Sequence, residues 1–225
     1  MKNTPRLYID APMAPGGEIE LSDAQRHYLV RVMRREKFLA FRGGLEFEAE
    51  LIGGAASARI IKPTNRPDPK GAWTLYFAPI KRAEDIVSAA TQLGAGTLCP
   101  VITDYTTARH INWDRIRKII VEAAEQCGLN SLPELREPIS FAKLDKSAVF
   151  YGDERAAHGA AAINKKESLP KADDCKLLIG PEGGFSDDEF AALDAAGATG
   201  VALGPTILRS EVAAVALAAR VLPNR

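Results

Sequence analysis

The sequence predicts an α/β protein in two parts: a small β-barrel, then a larger domain built on a mostly parallel sheet. Three observations carry that expectation. Up to Lys62 the apolar residues fall in short runs punctuated by Gly-Gly pairs, which are hairpin signals. Beyond Gly71 strand-like runs alternate with amphipathic stretches of helical length, the pattern of a parallel sheet with crossover helices. Between the two lies "PTNRPDPKG", Pro63 to Gly71, with three prolines in nine residues, which reads as a linker. The expected domains are residues 1–66 and 67–225.

In chain order, "RLYID" from Arg6 and "EIEL" from Glu18 are short strands. "SDAQRHYLVRVM" reads as one helix, with Ser22 at the N-cap and Gln25 at the capping-box spacing. "KFLAFRGG", "LEFEAELIGG" and "ASARIIK" complete a barrel of about five strands, which Tyr8, Phe38, Phe41 and Phe47 are expected to fill. After the linker, "WTLYFAPI" is a strand. "RAEDIVSAATQLG" is a helix with Ile86, Ala90 and Leu93 on one stripe and Gly94 as its stop. "TLCPV" is a strand. "NWDRIRKIIVEAAEQCG" is a helix whose stripe runs through Ile116, Ile119, Ile120, Ala123 and Cys127 to Gly128. "SAVFYGDE" and "CKLLIG" are strands, and residues 156–174, polar and alanine-rich, fit either a helix or a loop. "SDDEFAALDAAG" is the best-marked helix: Ser186 caps it, Glu189 sits at N3, acids fill the first turn and Gly197 stops it. "GVALG" is a short strand. The last helix, "RSEVAAVALAARVL", is apolar nearly all round, which predicts burial.

Composition is ordinary for a globular chain: 225 residues, 46% hydrophobic and 26% charged. A formal net charge of zero argues against a bulk electrostatic grip on nucleic acid. The charge is uneven, however. Residues 1–70 carry 12 Lys and Arg against 9 Asp and Glu, and Arg26–Arg42 holds six basic residues with Glu36 as the one acid. Cys99, Cys127 and Cys175 are far apart, odd in number and without metal spacing, which fits a reducing compartment and no metal. "MKNTPRLYIDAP" lacks the apolar segment of a secretory signal, and no apolar run approaches the ~20 residues of a membrane span. A cytoplasmic protein with no membrane partner is expected. His27, His110 and His158 have no companions at metal or triad spacing.

The chemistry concentrates in "LLIGPEGGFSDDEF", Leu177 to Phe190. A loop after a parallel strand is where such sheets bind ligands. Pro181 stiffens it, and Gly183 and Gly184 permit close approach of backbone to a ligand. A phosphate would call for donors and positive charge, as in a Gly-Lys-Ser/Thr loop. Here the nearby charges are Glu182, Asp187 and Asp188, and the G-x-G-x-x-G fingerprint is absent. A phosphate-free nucleoside with a positive centre, such as S-adenosylmethionine, fits better; a plain surface turn is the alternative. A second stretch, "VALGPTILRSEVAAVAL", repeats strand, Gly-Pro turn and helix, with Arg209 and Glu211 at the helix start. Two such turns at the ends of successive strands would form a slot lined by backbone.

These two stretches together resemble the signature pair of the SPOUT methyltransferases, and specifically of the small-subunit (16S) rRNA uridine N3-methyltransferases. "HYLVRVMR", "PIKRAEDIVSAATQLGAGTLCPV" and "EAAEQCGLNSLPEL" are similar to further segments of that family, in register from about Arg6 to Ala219. Departures occur at Ala89 and Gln92, where the family usually carries Lys and Glu, at Leu129 for Arg, at Val212 for Thr, and in "REKFLAF" for a segment with a Gly-Asp turn.

The resemblance implies an N-terminal PUA-like small β-barrel for RNA and a C-terminal SPOUT α/β domain with a deep trefoil knot, working as a homodimer on small-subunit ribosomal RNA. It implies S-adenosylmethionine as cofactor. Leu178, Ile179, Gly180, Pro181, Glu182, Gly183 and Gly184 would bind it from the first loop, and Leu203, Gly204, Ile207, Leu208, Arg209 and Ser210 from the second. Arg209 is the candidate to stabilise charge on the uracil, or else pairs with Glu211 or Glu182. Glu211 orients Arg209, accepts a proton, or simply caps its helix; Glu182 meets the cofactor's cationic end or braces the loop. Arg6, Arg26, Arg31, Arg34, Arg35 and Lys37 form the expected RNA footprint, extended by Lys81, Arg82 and Arg109. Two other readings stay open: a sister enzyme methylating ribose 2′-O of another RNA, and an RNA-binding assembly factor without catalysis.

Overall fold

The computed structural model describes residues 4–108, 111–155 and 175–222. The chain divides into two compact units: Met1–Lys70 with Val121–Leu132, and Gly71–Ile120 with Pro133–Arg225.

The first unit is built on a five-stranded sheet: β1 (Arg6–Tyr8), β2 (Glu18–Glu20), β3 (Lys37–Arg42), β4 (Leu45–Ile52) and β5 (Ser57–Pro63), in the order β1-β3-β4-β5-β2. All pairs are antiparallel except β1 with β3. Side chains alternate across β3, so Phe38 and Ala40 join Phe47, Ala49 and Ile60 in the main core. Phe41 faces the other way and packs on Ala124 and Leu129, with Tyr8 against it. The expectation that all four aromatics fill one barrel core is therefore corrected: Phe38 and Phe47 do.

Ser22 and Gln25 form the expected capping box at the start of α1 (Asp23–His27). The single helix expected there does not continue regularly. Tyr28–Met33 is a π-helical run that Arg34 ends in the left-handed conformation, with φ 51. Only Leu29 of that run is buried, so one anchor fixes the segment and tertiary packing imposes little on the rest. The proline-rich segment is tied down within this unit. Thr64 Oγ1 donates to Glu46 Oε2 at 2.8 Å, and Asn130 donates its backbone N–H to Asp68 and its amide to the Arg66 carbonyl, both at 3.0 Å.

The second unit is a parallel sheet: β6 (Thr74–Phe77), β7 (Thr97–Ile102), β8 (Glu134–Leu135), β9 (Ile139–Ser140), β10 (Val149–Gly152), β11 (Lys176–Ile179) and β12 (Thr199–Val201). The order is β12-β10-β11-β6-β7-β8, with β9 also on β7. The central strands are buried along nearly their whole length, as befits a sheet covered on both faces. Its helices are α2 (Ala83–Gln92), the first half of α3 (Trp113–Cys127), α4 (Asp187–Ala195) and α5 (Ser210–Val221). α5 packs on α2 and buries Ala214, Leu217, Ala218 and Val221, yet leaves Val212 and Val215 exposed. The burial expected for this helix is thus found on one face. Among the described residues no helix is long and apolar enough to cross a membrane. The helix-or-loop question for residues 156–174 lies outside the described residues, as do His110 and His158.

Candidate active site

Three loops at the carboxyl ends of adjacent strands enclose a cavity of about 220 Å³. The sequence placed the two Gly-Pro loops side by side. In the sheet β10 stands between β12 and β11, so a third loop, Gly152-Asp153-Glu154, enters the wall. Of the residues proposed for a cofactor, Ile179, Gly180, Pro181, Glu182, Gly183, Gly184, Leu203, Gly204, Ile207, Leu208 and Ser210 line this cavity. Two do not. Leu178 points to the opposite face of β11 and is buried with Tyr76, Val149 and Phe185. Arg209 is the N-cap residue of α5 and is exposed. Thr206 and Ala213 line the cavity without having been singled out. The missed Gly152–Glu154 loop obeys the same strand-end rule as the others; its glycine after "VFY" was the available signal.

The cavity wall is tightly held. Ser210 Oγ donates to the Gly180 carbonyl at 2.9 Å, tying the start of α5 to the first loop. Gly184 has φ +72, and a side chain there would run into Glu154 Oε1. Glu154 in turn accepts the Phe185 N–H at 3.2 Å, while the Phe185 ring packs among Phe141, Tyr151 and Phe190.

The charged side chains that line the cavity, among the described residues, have one sign. Asp153 is 3% exposed, but Arg155 donates to it through Nε and Nη2, both at 2.9 Å. Arg155 also reaches Asp194 at 3.2 Å and lies 4.0 Å over the Phe190 ring; its bonds to Asp153 push its pKa further up. Glu154 and Glu182 have no direct ion pair among the described residues, although the Arg155 charge also acts on Glu154. Burial pushes the Glu154 carboxyl above the usual carboxylate range, against the pull of its backbone hydrogen bonds. Among the described residues no Lys or Arg lines the cavity. Bare backbone, apolar Ile179, Leu203, Ile207 and Leu208, and unneutralised carboxylates suit a flat polar nucleoside with a cationic centre and no phosphate.

Glu211 is bound by Arg82, Nη1 to Oε1 at 3.0 Å, rather than by Arg209. The expected pairing of Arg209 with Glu211 or Glu182 is therefore corrected: among the described residues its guanidinium has no acidic partner. Arg82 also contacts Asp85 at 2.5 Å, so both terminal nitrogens of its guanidinium have acidic partners, while Lys81 is exposed and has no ion pair among the described residues. In the first unit Arg26 pairs with Asp23 at 2.8 Å, and Arg31, Arg34, Arg35 and Lys37 are exposed without ion pairs among the described residues. Arg6 is a correction. Its side chain is 10% exposed, and all its donors are spent on Glu46, Asn130 and the carbonyls of Ala124, Glu125 and Leu129, leaving none for RNA. Arg109 lies outside the described residues. No group of three or more His, Cys, Asp or Glu that could hold a metal occurs among the described residues.

Residues 66–222 match the RNA methyltransferase domain family, which gives the class of protein that this parallel sheet and strand-end cavity define. The ribosomal RNA small subunit methyltransferase E of Rickettsia conorii is 32% identical over 230 residues, covering 96% of this chain and 94% of that protein. The protein of the same name from Synechocystis is 31% identical, covering 95% and 76%. Among solved structures, a Legionella pneumophila protein in complex with bound SAM superposes with a TM-score of 0.79 at 26% identity, covering 96% of this chain and 98% of that one. Ribosomal RNA small subunit methyltransferase E from Neisseria gonorrhoeae, bound to S-adenosylmethionine, has a TM-score of 0.79 at 25% identity, covering 96% of each. The chain belongs to the ribosomal RNA small subunit methyltransferase E family.

Proposed function

We propose that this protein transfers a methyl group from S-adenosylmethionine to N3 of a specific uridine in small-subunit (16S) ribosomal RNA. It does so as a cytoplasmic homodimer whose second unit is a SPOUT domain with a deep trefoil knot and whose first unit is a PUA-like RNA-binding barrel. The observation that carries the reading is the cavity between the ends of β10, β11 and β12, which the described residues wall with backbone, apolar side chains and carboxylates and with no Lys or Arg.

The cofactor supplies an electrophilic methyl on a sulfonium. Glu154 and Glu182 stand where they can balance its positive charge, and the Ser210–Gly180 bond keeps the two glycine loops at a fixed spacing. The neutral imide nitrogen of uracil is a poor nucleophile, so its proton must leave and charge must spread onto O2 and O4. Arg209 meets that need. Its guanidinium is exposed, has no acidic partner among the described residues, and sits at the N-terminus of α5, where the helix adds positive potential. Glu211, held by Arg82, fixes the first turn of α5 beneath it. Binding of RNA falls to the exposed basic residues Arg26, Arg31, Arg34, Arg35 and Lys37, with Lys81 from the second unit.

The test is to incubate the protein with labelled S-adenosylmethionine and small ribosomal subunits from cells lacking it, then identify the labelled nucleoside. Label in 3-methyluridine is expected. Label in a ribose-methylated nucleoside would move the enzyme to a sister activity. No label together with no binding of S-adenosylhomocysteine would leave the non-catalytic assembly factor.

A further inference from the structure

We infer that Tyr105 is the platform on which the target base stacks beside the cavity. Tyr105 is 51% exposed, and it is the one exposed aromatic side chain among the described residues of the second unit. It lies on the glycine loop of the cavity. A methyl group placed on Gly183 would stand 3.3 Å from Tyr105 Cβ and 3.6 Å from its Cγ and Cδ2. Gly183 lines the cavity, so the ring covers the outside of that wall and turns its remaining surface to solvent.

The turn that carries the ring is unusually well fixed for an exposed segment. Thr103 and Thr106, both buried, bond to each other three times: Thr103 N–H to Thr106 Oγ1 at 2.9 Å, Thr106 N–H to the Thr103 carbonyl at 3.1 Å, and hydroxyl to hydroxyl at 2.8 Å. Asp104 donates its N–H to the buried carboxylate of Glu189 at 3.0 Å and accepts from Ser186 Oγ at 2.6 Å. Ser186 and Glu189 are the capping box of α4, which begins directly after the glycine loop. Turn, loop and helix start thus form one hydrogen-bonded block. A half-exposed ring carried on a fixed turn lowers the entropy cost of stacking against something that arrives.

The arriving group is a nucleobase. This step rests on the reading that uracil N3 is methylated. N3 lies on the pairing edge of the base, so the target must be unpaired and drawn out of its stack, and an aromatic side chain replaces the stacking it loses.

The test uses the full-length protein and small ribosomal subunits, with the wild-type product identified in the same assay. Tyr105→Ala is expected to raise KM for the subunit about tenfold or more, leaving S-adenosylhomocysteine affinity and the thermal midpoint in place. Tyr105→Phe and Tyr105→Trp should restore KM, because stacking needs the ring and not the hydroxyl. An RNA fragment carrying 5-iodouridine at the target should photo-crosslink to Tyr105. Equal synthesis of 3-methyluridine by Tyr105→Ala, a crosslink mapped elsewhere, or a loss that appears only in cofactor affinity or folding would overturn the platform. Failure of the base assignment would show separately, as a different labelled nucleoside from the wild type.

Discussion

At Arg6 a single side chain does the work of several caps. Its Nη1 bonds the carbonyls of Ala124 and Glu125 in the last turn of α3, and its Nη2 the carbonyl of Leu129 just beyond it. Its Nε meets Glu46 at 2.9 Å, a carboxylate only 4% exposed that also receives Thr64 and lies 3.5 Å from Arg66. The guanidinium stacks 4.5 Å from the Phe41 ring. Leu129, where the family usually has arginine, fills the same cluster as Phe41 and Ala124. Removing Arg6 strands a buried charge, so Arg6→Ala should destabilise the protein by about 3–5 kcal/mol, measured by urea unfolding. Arg6→Lys should recover only part of that, because one ammonium cannot reach five acceptors. A loss under about 1 kcal/mol would mean that Glu46 finds other solvation. In the sequence Arg6 read as one more basic residue of an RNA footprint. Nothing local marks it otherwise, since its partners lie 40 to 124 residues away.

Elements whose causes are local were legible. Both capping boxes, at Ser22 and Ser186, formed as their spacing required, and the glycine loops after β11 and β12 were recognised from residues that themselves line the cavity. What failed was anything decided by neighbours in space. β10 inserts between β12 and β11, which chain order does not reveal, and the two-residue strands β8 and β9 exist only because β7 offers them an edge. The helix from Ser22 lost its regularity at Tyr28 because Leu29 alone is drawn into the core. That lightly anchored run then presents Tyr28 and Val30, 37% and 38% exposed, together with Arg31, Arg34 and Arg35. If these arginines meet phosphates, neutralising each to Gln should reduce the slope of log affinity against log salt by about 1. RNA binding followed across a salt titration checks this. An unchanged slope in the triple variant would assign the segment to solvent.

At the scale of the whole molecule, α5 leaves an apolar stripe uncovered. Val212 and Val215, 49% and 40% exposed, share a stripe of α5 with Ala219, and Ile207, 61% exposed, precedes the helix. Leu93, 42% exposed, ends α2, the helix that α5 packs against. The other face of α5 is fully engaged, so this stripe is surplus to the fold of the chain. A self-complementary contact between two copies is the economical way to cover it, since a two-fold axis lets one stripe bury its own counterpart. Five side chains fall short of the ~800 Å² per partner that stable interfaces need, so neighbouring loop surface must join them. Ile207 and Leu208 belong to the cavity wall, which would place the contact next to the chemistry. Val215→Asp puts a charge in the middle of the stripe; with two copies meeting there, sedimentation velocity is expected to find the wild type dimeric and this variant monomeric at the same concentration. Methyl transfer should fall with the dimer, whereas Val215→Ile should keep both. A wild type that sediments as a monomer, or a Val215→Asp dimer, would show that the stripe serves something other than a second copy of this chain.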